Sequence, residues 1–338
     1  MIEPAPRAAD RYARRLPRLI GPAILAWFLA TTDLGRIAAH LRGVHWIPLV
    51  VALALYPIFI ALKAWRWRLL VGELRLAPPS PGDAMVLYMI GLFAAAATPG
   101  QSGDFIKAWY LRARGQPMAP ALFSVLLDRL FDLLVMAVLS VLGLVAFRQL
   151  APPRLAGLVA AVAIAVAAAL VAAVPALVAR RPRERLIGLV RRAAPRRAGA
   201  ALERWRGQLT GMGLRPARLG IVLAVTLAAI TVTMARLWLL FAALEINIPL
   251  LALVSAMALV AIAQTLPISV AGLGVRDAIL IAVLAAYGYA AAAALALSAL
   301  ILLLNLENIA IGFVVSLRHP LGRATAAEPP RAEAVPTP

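Results

Sequence analysis

Asp104 and Lys107 stand one helical turn apart, directly after Thr98-Pro99-Gly100-Gln101-Ser102-Gly103, where the flanking residues are as apolar as a membrane interior. An ionisable group at such depth costs about 2.5–3.5 kcal/mol even on the mildest insertion scale, which makes it a functional candidate by default. A helix starting near Ser102 would present free N–H groups and the positive end of its dipole, a combination that suits an anion such as a phosphate. Thr98, Gly100 and Gly103 belong to the same candidate site, because they interrupt the helix where backbone could face a ligand. Asp104 equally suits a plain first-turn helix position, where the dipole favours an acid.

Two further groups have the same character. Asp128, Arg129 and Asp132 lie inside the apolar stretch Ala119 to Phe147, with the two aspartates on one helical face at i, i+4. Arg129 keeps its charge and must find a partner. These residues read either as an internal salt-bridge network fixing the span to a neighbour or as the polar lining of a headgroup path, where the Arg129 fork matches phosphate. The second group is Pro267-x-Ser269-x-x-Gly272-Leu273-Gly274-x-Arg276-Asp277. Gly272 and Gly274 permit close backbone approach and place Arg276 to clamp a phosphate at a helix start; the alternative is a pair with Asp277 or Glu307. Arg236 and Asn305 read as hydrogen-bond glue between spans. Lys63, Trp65, Arg66, Trp67 and Arg68 read as an interfacial belt of basic and aromatic anchors.

Other chemistries lack their residues. The chain has no cysteine, which removes thiolate metal sites and thiol nucleophiles, and its 3 histidines form no ligand constellation. No GxxxxGK[ST] loop is present for a nucleotide. No catalytic residue, metal or cofactor is assigned. Lys and Arg total 34 against 15 Asp and Glu, a net charge of +19. No nucleic-acid-binding signature accompanies this charge, and basic loops are what fixes the cytoplasmic ends of membrane proteins.

The positioning elements follow from hydropathy. Of 338 residues 63% are hydrophobic, against roughly 45–50% in soluble domains, which marks an all-α polytopic membrane protein. Residues 1–17 are a basic cytoplasmic N-terminus, with the apolar run behind them a retained signal-anchor. Residues 18–318 are the membrane domain, including a basic cytoplasmic loop at 180–218, and residues 319–338 are a disordered cytoplasmic tail rich in Pro, Ala and Glu. Spans are expected at 17–36, 47–62, 119–147, 156–179, 219–244 and 290–317, with a surface helix at 33–45. The run Ala84 to Ala97 is too short to cross about 30 Å of hydrocarbon and ends in a breaker. Basic residues flank Asp83 to Tyr110 on both sides, so this segment enters and leaves by the cytoplasmic face as a re-entrant hairpin. Leu250 to Tyr287, bounded by connections free of Lys and Arg, dips from the opposite face. The expected architecture is therefore about six spanning helices plus two opposed hairpins whose breaks meet near the midplane, an inverted repeat.

At Thr98-Pro99-Gly100-x-x-Gly103-Asp104-x-x-Lys107, Asp128-Arg129-x-x-Asp132 and Pro267-x-Ser269-x-x-Gly272-Leu273-Gly274-x-Arg276-Asp277 the chain resembles the transmembrane, flippase-type domain of lysylphosphatidylglycerol synthases and its stand-alone relatives. The resemblance covers most of Pro17 to Arg318. Asp104 and Asp277 stand where the family often has glutamate, and Ala271 where glycine is common. The resemblance implies lipid translocation across the bacterial inner membrane, with both termini cytoplasmic and membrane lipids as the partner. No aminoacyltransferase domain is present in this sequence, so an enzyme is not expected. Two other readings stay open: a membrane enzyme acting on a lipid carrier, with Asp104 or Asp128 as base, and a non-catalytic partner of a glycosyltransferase or lipid synthase. A homo-oligomer is compatible with the same residues.

Because no native cysteine interferes, single cysteines at Ser102 and Ala271 can report topology. Ser102→Cys should react with a reagent supplied from the cytoplasmic side; labelling from the outer side alone would rule out the first hairpin.

Overall fold

The structure is a computed structural model and describes residues 43–96, 98–147, 215–265 and 275–319, with single positions between 164 and 208. The spans expected at 17–36 and 156–179, nearly all of the surface helix, nearly all of the basic loop up to 214, the second break at 266–274 and the tail from 320 lie outside the described residues, while 216–218, expected in that loop, already belong to the helix that follows it. All regular structure among the described residues is helical.

Two stretches repeat one plan of helix, hairpin, helix. In the first, α1 (Trp46–Ala54) and α2 (Tyr56–Glu73) form one bent span of 28 residues. The bend falls at Leu55, where Pro57 has no N–H to return to the preceding turn. Then α3 (Pro81–Ala96), a 3-10 turn (Pro99–Phe105) and α4 (Ile106–Ala113) make the first hairpin, and α5 (Met118–Phe147) follows. In the second, α6 (Pro216–Ala243) precedes a hairpin of α7 (Leu250–Thr265) and α8 (Val275–Ala286), and α9 (Ala291–Arg318) closes it. The span from α1 to α2, α6 and α9 are long and apolar enough to cross a membrane, while α3 is a shorter apolar helix. At 30 residues α5 also has the length to cross.

The caps repeat along with the helices. α2 ends at Arg75 (φ 57°) and α6 at Glu245 (φ 55°), each left-handed, and in each the following N–H returns to the last turn, Leu76 to Val71 O and Ile246 to Phe241 O. The hairpins end alike, at Gly115 (φ 79°) and Gly288 (φ 82°), with Gln116 N bonded to Leu111 O and Tyr289 N to Leu284 O. These are Schellman-type endings, which satisfy the orphan carbonyls of a helix C-terminus.

The first helices of the two halves run antiparallel. His45 N meets Ala243 O at 2.9 Å, Arg236 Nε meets Ala52 O at 2.8 Å, and Arg215 N meets Glu73 Oε2 at 3.3 Å at the far end. The hairpins therefore insert from opposite ends of the bundle, the relation an inverted repeat requires. Each half also leans on the other: α3 packs on α9, and α7 packs on α5 and touches the 3-10 turn. Among the described residues three apolar clusters result, one built around Trp67, Leu87 and Phe131, one around Phe241, Leu253 and Leu297, and a smaller one joining Phe93 to Leu302 and Ile309.

The first hairpin closes by close backbone contact. A Cβ on Gly103 would collide with the carbonyl group of Ala94, so its arms approach as only glycine permits. Thr98 satisfies backbone freed at the break: its Oγ1 donates to Ala94 O at 2.9 Å and accepts from Gly103 N at 2.6 Å. Gly103→Ala should cost about 1–3 kcal/mol by forcing the arms apart, whereas Gly72→Ala, with nothing within 4 Å of the added methyl, should leave stability within about 1 kcal/mol. Thermal unfolding of both variants in detergent measures the difference.

Candidate functional site

Closing the first hairpin carries Asp104 and Lys107 into the seam between its arms and α5. Lys107 is fully buried; its Nζ lies 3.0 Å from Asp104 Oδ2 and 3.2 Å from Asp128 Oδ2, and 3.9 Å from the centre of the Tyr88 ring. Arg129 reaches back from α5, its Nε 3.1 Å from the same Asp104 oxygen. Of the residues singled out in the sequence, Asp104, Lys107, Asp128, Arg129 and Asp132 thus form one ionic cluster. Thr98 and Gly103 shape the break beside it, and Gly100 lies within the 3-10 turn.

The cluster also contains two residues that the sequence reading assigned to an interfacial belt. Arg66 is fully buried: Nε donates to Asp128 Oδ1 at 2.8 Å, and Nη1 and Nη2 grip Asp132 Oδ1 and Oδ2 at 2.6 and 2.9 Å. Lys63 adds a 2.6 Å bond to Asp132 Oδ1. Trp67, buried beside them, donates to Ser124 Oγ at 3.2 Å, and Tyr88 donates to Asp128 Oδ2 at 2.5 Å. The belt reading fails here because α2 does not end at Leu62 but continues to Glu73, which leaves Lys63 and Arg66 inside the bundle. Their spacing, one helical turn apart on one face, was the available signal. Trp65 does face outward, and Arg68 caps Pro79 O at 2.7 Å.

Charge in the cluster nearly balances. Among the described residues four cations (Lys63, Arg66, Lys107, Arg129) meet three carboxylates (Asp104, Asp128, Asp132). Asp104 Oδ1 is buried with no hydrogen-bond partner.

Arg276 occupies the first turn of α8. Its side chain is 1% exposed; Nε donates to Ser298 Oγ at 2.9 Å and stands 3.7 Å from Asp277 Oδ1, while Ser298 donates to Asp277. Its Nη1 is buried with no partner. Glu307 does not reach it, being paired with Arg236, which also bonds Ala52 O and so ties α6 to α1 and α9. Ser269, Gly272 and Gly274 lie outside the described residues.

Paired hairpins entering from opposite ends of an apolar helical bundle, each with a buried cation in its second arm, Lys107 and Arg276, define a polytopic membrane protein of inverted-repeat type. The chain matches the family described as the lysylphosphatidylglycerol synthase TM region over residues 18–312, and it belongs to that family. No curated protein matches it.

Removing one buried partner leaves uncompensated charge behind. Asp128→Asn should therefore destabilise the fold by about 3–5 kcal/mol, while Asp83→Asn, which breaks the exposed pair with Arg114 at the hairpin mouth, should cost about 0–1 kcal/mol. Chemical or thermal unfolding in detergent distinguishes the two.

Proposed function

We propose that this protein is a lipid transporter that moves a phospholipid or related lipid-linked substrate between the leaflets of the bacterial inner membrane, with both termini in the cytoplasm. The observation that carries the reading is the buried ionic cluster at the seam of the first hairpin, where Lys107, Arg129 and a broken backbone lie inside an apolar bundle. Family membership supports it. Lys107 and Arg129 on one side and Arg276 on the other offer donors to a phosphate, while Asp104 and Asp277 balance those cations when the headgroup is absent. Arg66 with Asp128 and Asp132 holds α2 to α5 and gives the site a rigid wall. The membrane lipid is the partner, and no bond of the lipid is made or broken in this scheme.

Labelled phospholipids in proteoliposomes test the proposal. The wild type should move lipid across the bilayer. Arg276→Gln and Asp104→Asn, compared at equal folded yield, should each slow movement by roughly tenfold or more, the loss expected for one charge-assisted hydrogen bond. A wild type that moves nothing, even from the organism's total lipid extract, would refute the proposal.

A further inference from the structure

Arg129, a quarter exposed, marks where the seam of the first hairpin opens, and behind it Lys107 is fully buried. One oxygen engages both cations: Asp104 Oδ2 lies 3.0 Å from Lys107 Nζ and 3.1 Å from Arg129 Nε. The second oxygen, Oδ1, is buried with no hydrogen-bond partner. It packs hard on Gly91 of α3, where an added Cβ would come within 2.6 Å of it. Nothing as large as a water fits between the two, so the charge of Asp104 is compensated at Oδ2. Asp128, the other carboxylate on Lys107, is better provided: without Lys107 it still holds Arg66 at Oδ1 and Tyr88 at Oδ2.

A phosphate that takes Lys107 and Arg129 for itself strands Asp104 as a bare buried carboxylate. Such a group binds a proton rather than stay charged. We propose that Asp104 is a proton-binding site loaded by the substrate, so that one proton enters the seam with each anionic headgroup and leaves with it. This rests on the transport reading above and adds a co-transported ion to it. The exchange balances: the headgroup brings one negative charge, the proton cancels one on Asp104, and no bond of the lipid changes. Protonated on Oδ2, Asp104 donates a charge-assisted hydrogen bond to a phosphate oxygen, and Oδ1 becomes a neutral carbonyl, for which a missing partner costs less. The charged and titratable groups facing Asp104 are Lys107 on α4, Arg129 and Asp128 on α5 and Tyr88 on α3, with Arg66 of α2 behind Asp128. The remaining helix against the 3-10 turn, α7, has no charged residue over Leu250–Thr265.

Short-chain phosphatidylmethanol is the probe, because its phosphodiester carries one charge and its headgroup holds nothing else that titrates. Calorimetric titration of the protein in detergent, run at neutral pH in buffers of different ionisation enthalpy, counts the protons taken up on binding. About one per lipid is expected for the wild type, falling to none in Asp104→Asn and staying at about one in Asp83→Asn, which alters the exposed pair with Arg114. Uptake by Asp104→Asn equal to the wild type would overturn the assignment to Asp104. Wild-type proteoliposomes give a second measurement that needs no variant to fold. Acid outside should drive labelled phosphatidylmethanol into the inner leaflet, while a membrane potential without a pH gradient should leave its distribution unchanged. Binding without proton uptake, or movement driven by the potential alone, would overturn the proton site and leave lipid transport standing. A wild type that does not bind the probe would also overturn the proton site, and one that in addition moves no lipid of the organism's total extract would overturn the transport reading as well. Dimethyl phosphate, the same diester without acyl chains, should bind far more weakly, and equal affinity would overturn a lipid as the source of the phosphate.

Discussion

Arg66 is a permanent cation with no exposed surface, and a guanidinium in that position persists only if every face of it is bonded. Asp128 and Asp132, one turn apart on α5, receive it through Nε and both terminal nitrogens, and Nη2 also reaches the Asp128 carbonyl at 2.9 Å. That grip fixes the rotation of α2 against α5. The same two carboxylates take Lys63 from one side and Tyr88 and Lys107 from the other, so α2, α3, α4 and α5 meet at one point. Hydrophobic burial alone specifies such a contact weakly among apolar helices, because lipid tails are as apolar as the side chains. Ionic pairing supplies the register that burial does not.

The second half repeats the device in reduced form. Arg236 on α6 corresponds in the repeat to Arg66 on α2 and likewise reaches a carboxylate on the third helix of its half, Glu307 on α9. Its remaining contact is a backbone carbonyl beside the bend between α1 and α2, and it stands over Tyr56 and Phe59, both rings 5.7 Å away. Among the described residues one half therefore carries a crosslinked ionic cluster and the other separate pairs, Arg236 with Glu307 and Arg276 with Asp277. The shared frame is symmetric while its chemistry is not.

Much of this was legible in the residues. The Pro-Gly-rich interruption after Ala97 and basic residues on both flanks marked the first hairpin, and the arms lie within a few residues of the expected bounds. The i, i+4 aspartates announced that α5 needed cationic partners. Which cations came to them was not legible, because a hydropathy run that stops at Leu62 looks like a helix leaving the membrane. It stops instead because carboxylates on another helix make charge tolerable inside, and a linear sequence does not display that partner. Tyr88 gave no signal beyond one polar atom in an apolar run. Asp104 and Lys107 were placed correctly as neighbours, but the tight packing of Asp104 Oδ1 on Gly91 was not legible, because the two meet only after the hairpin has closed.

The crossed packing of α3 on α9 and α7 on α5 has a bearing on how the chain is made. Gly312 lets α9 approach the backbone of α3 at Met89, and Phe93 stacks at 5.8 Å against Phe313. The surface that supports the first hairpin is therefore synthesised some two hundred residues after the hairpin itself. During that interval Asp104, Lys107 and their ion-pair partners, all in the first half, have left the ribosome without the helix that backs α3. The last long helix then packs on an arm of each hairpin, α3 of the first and α8 of the second.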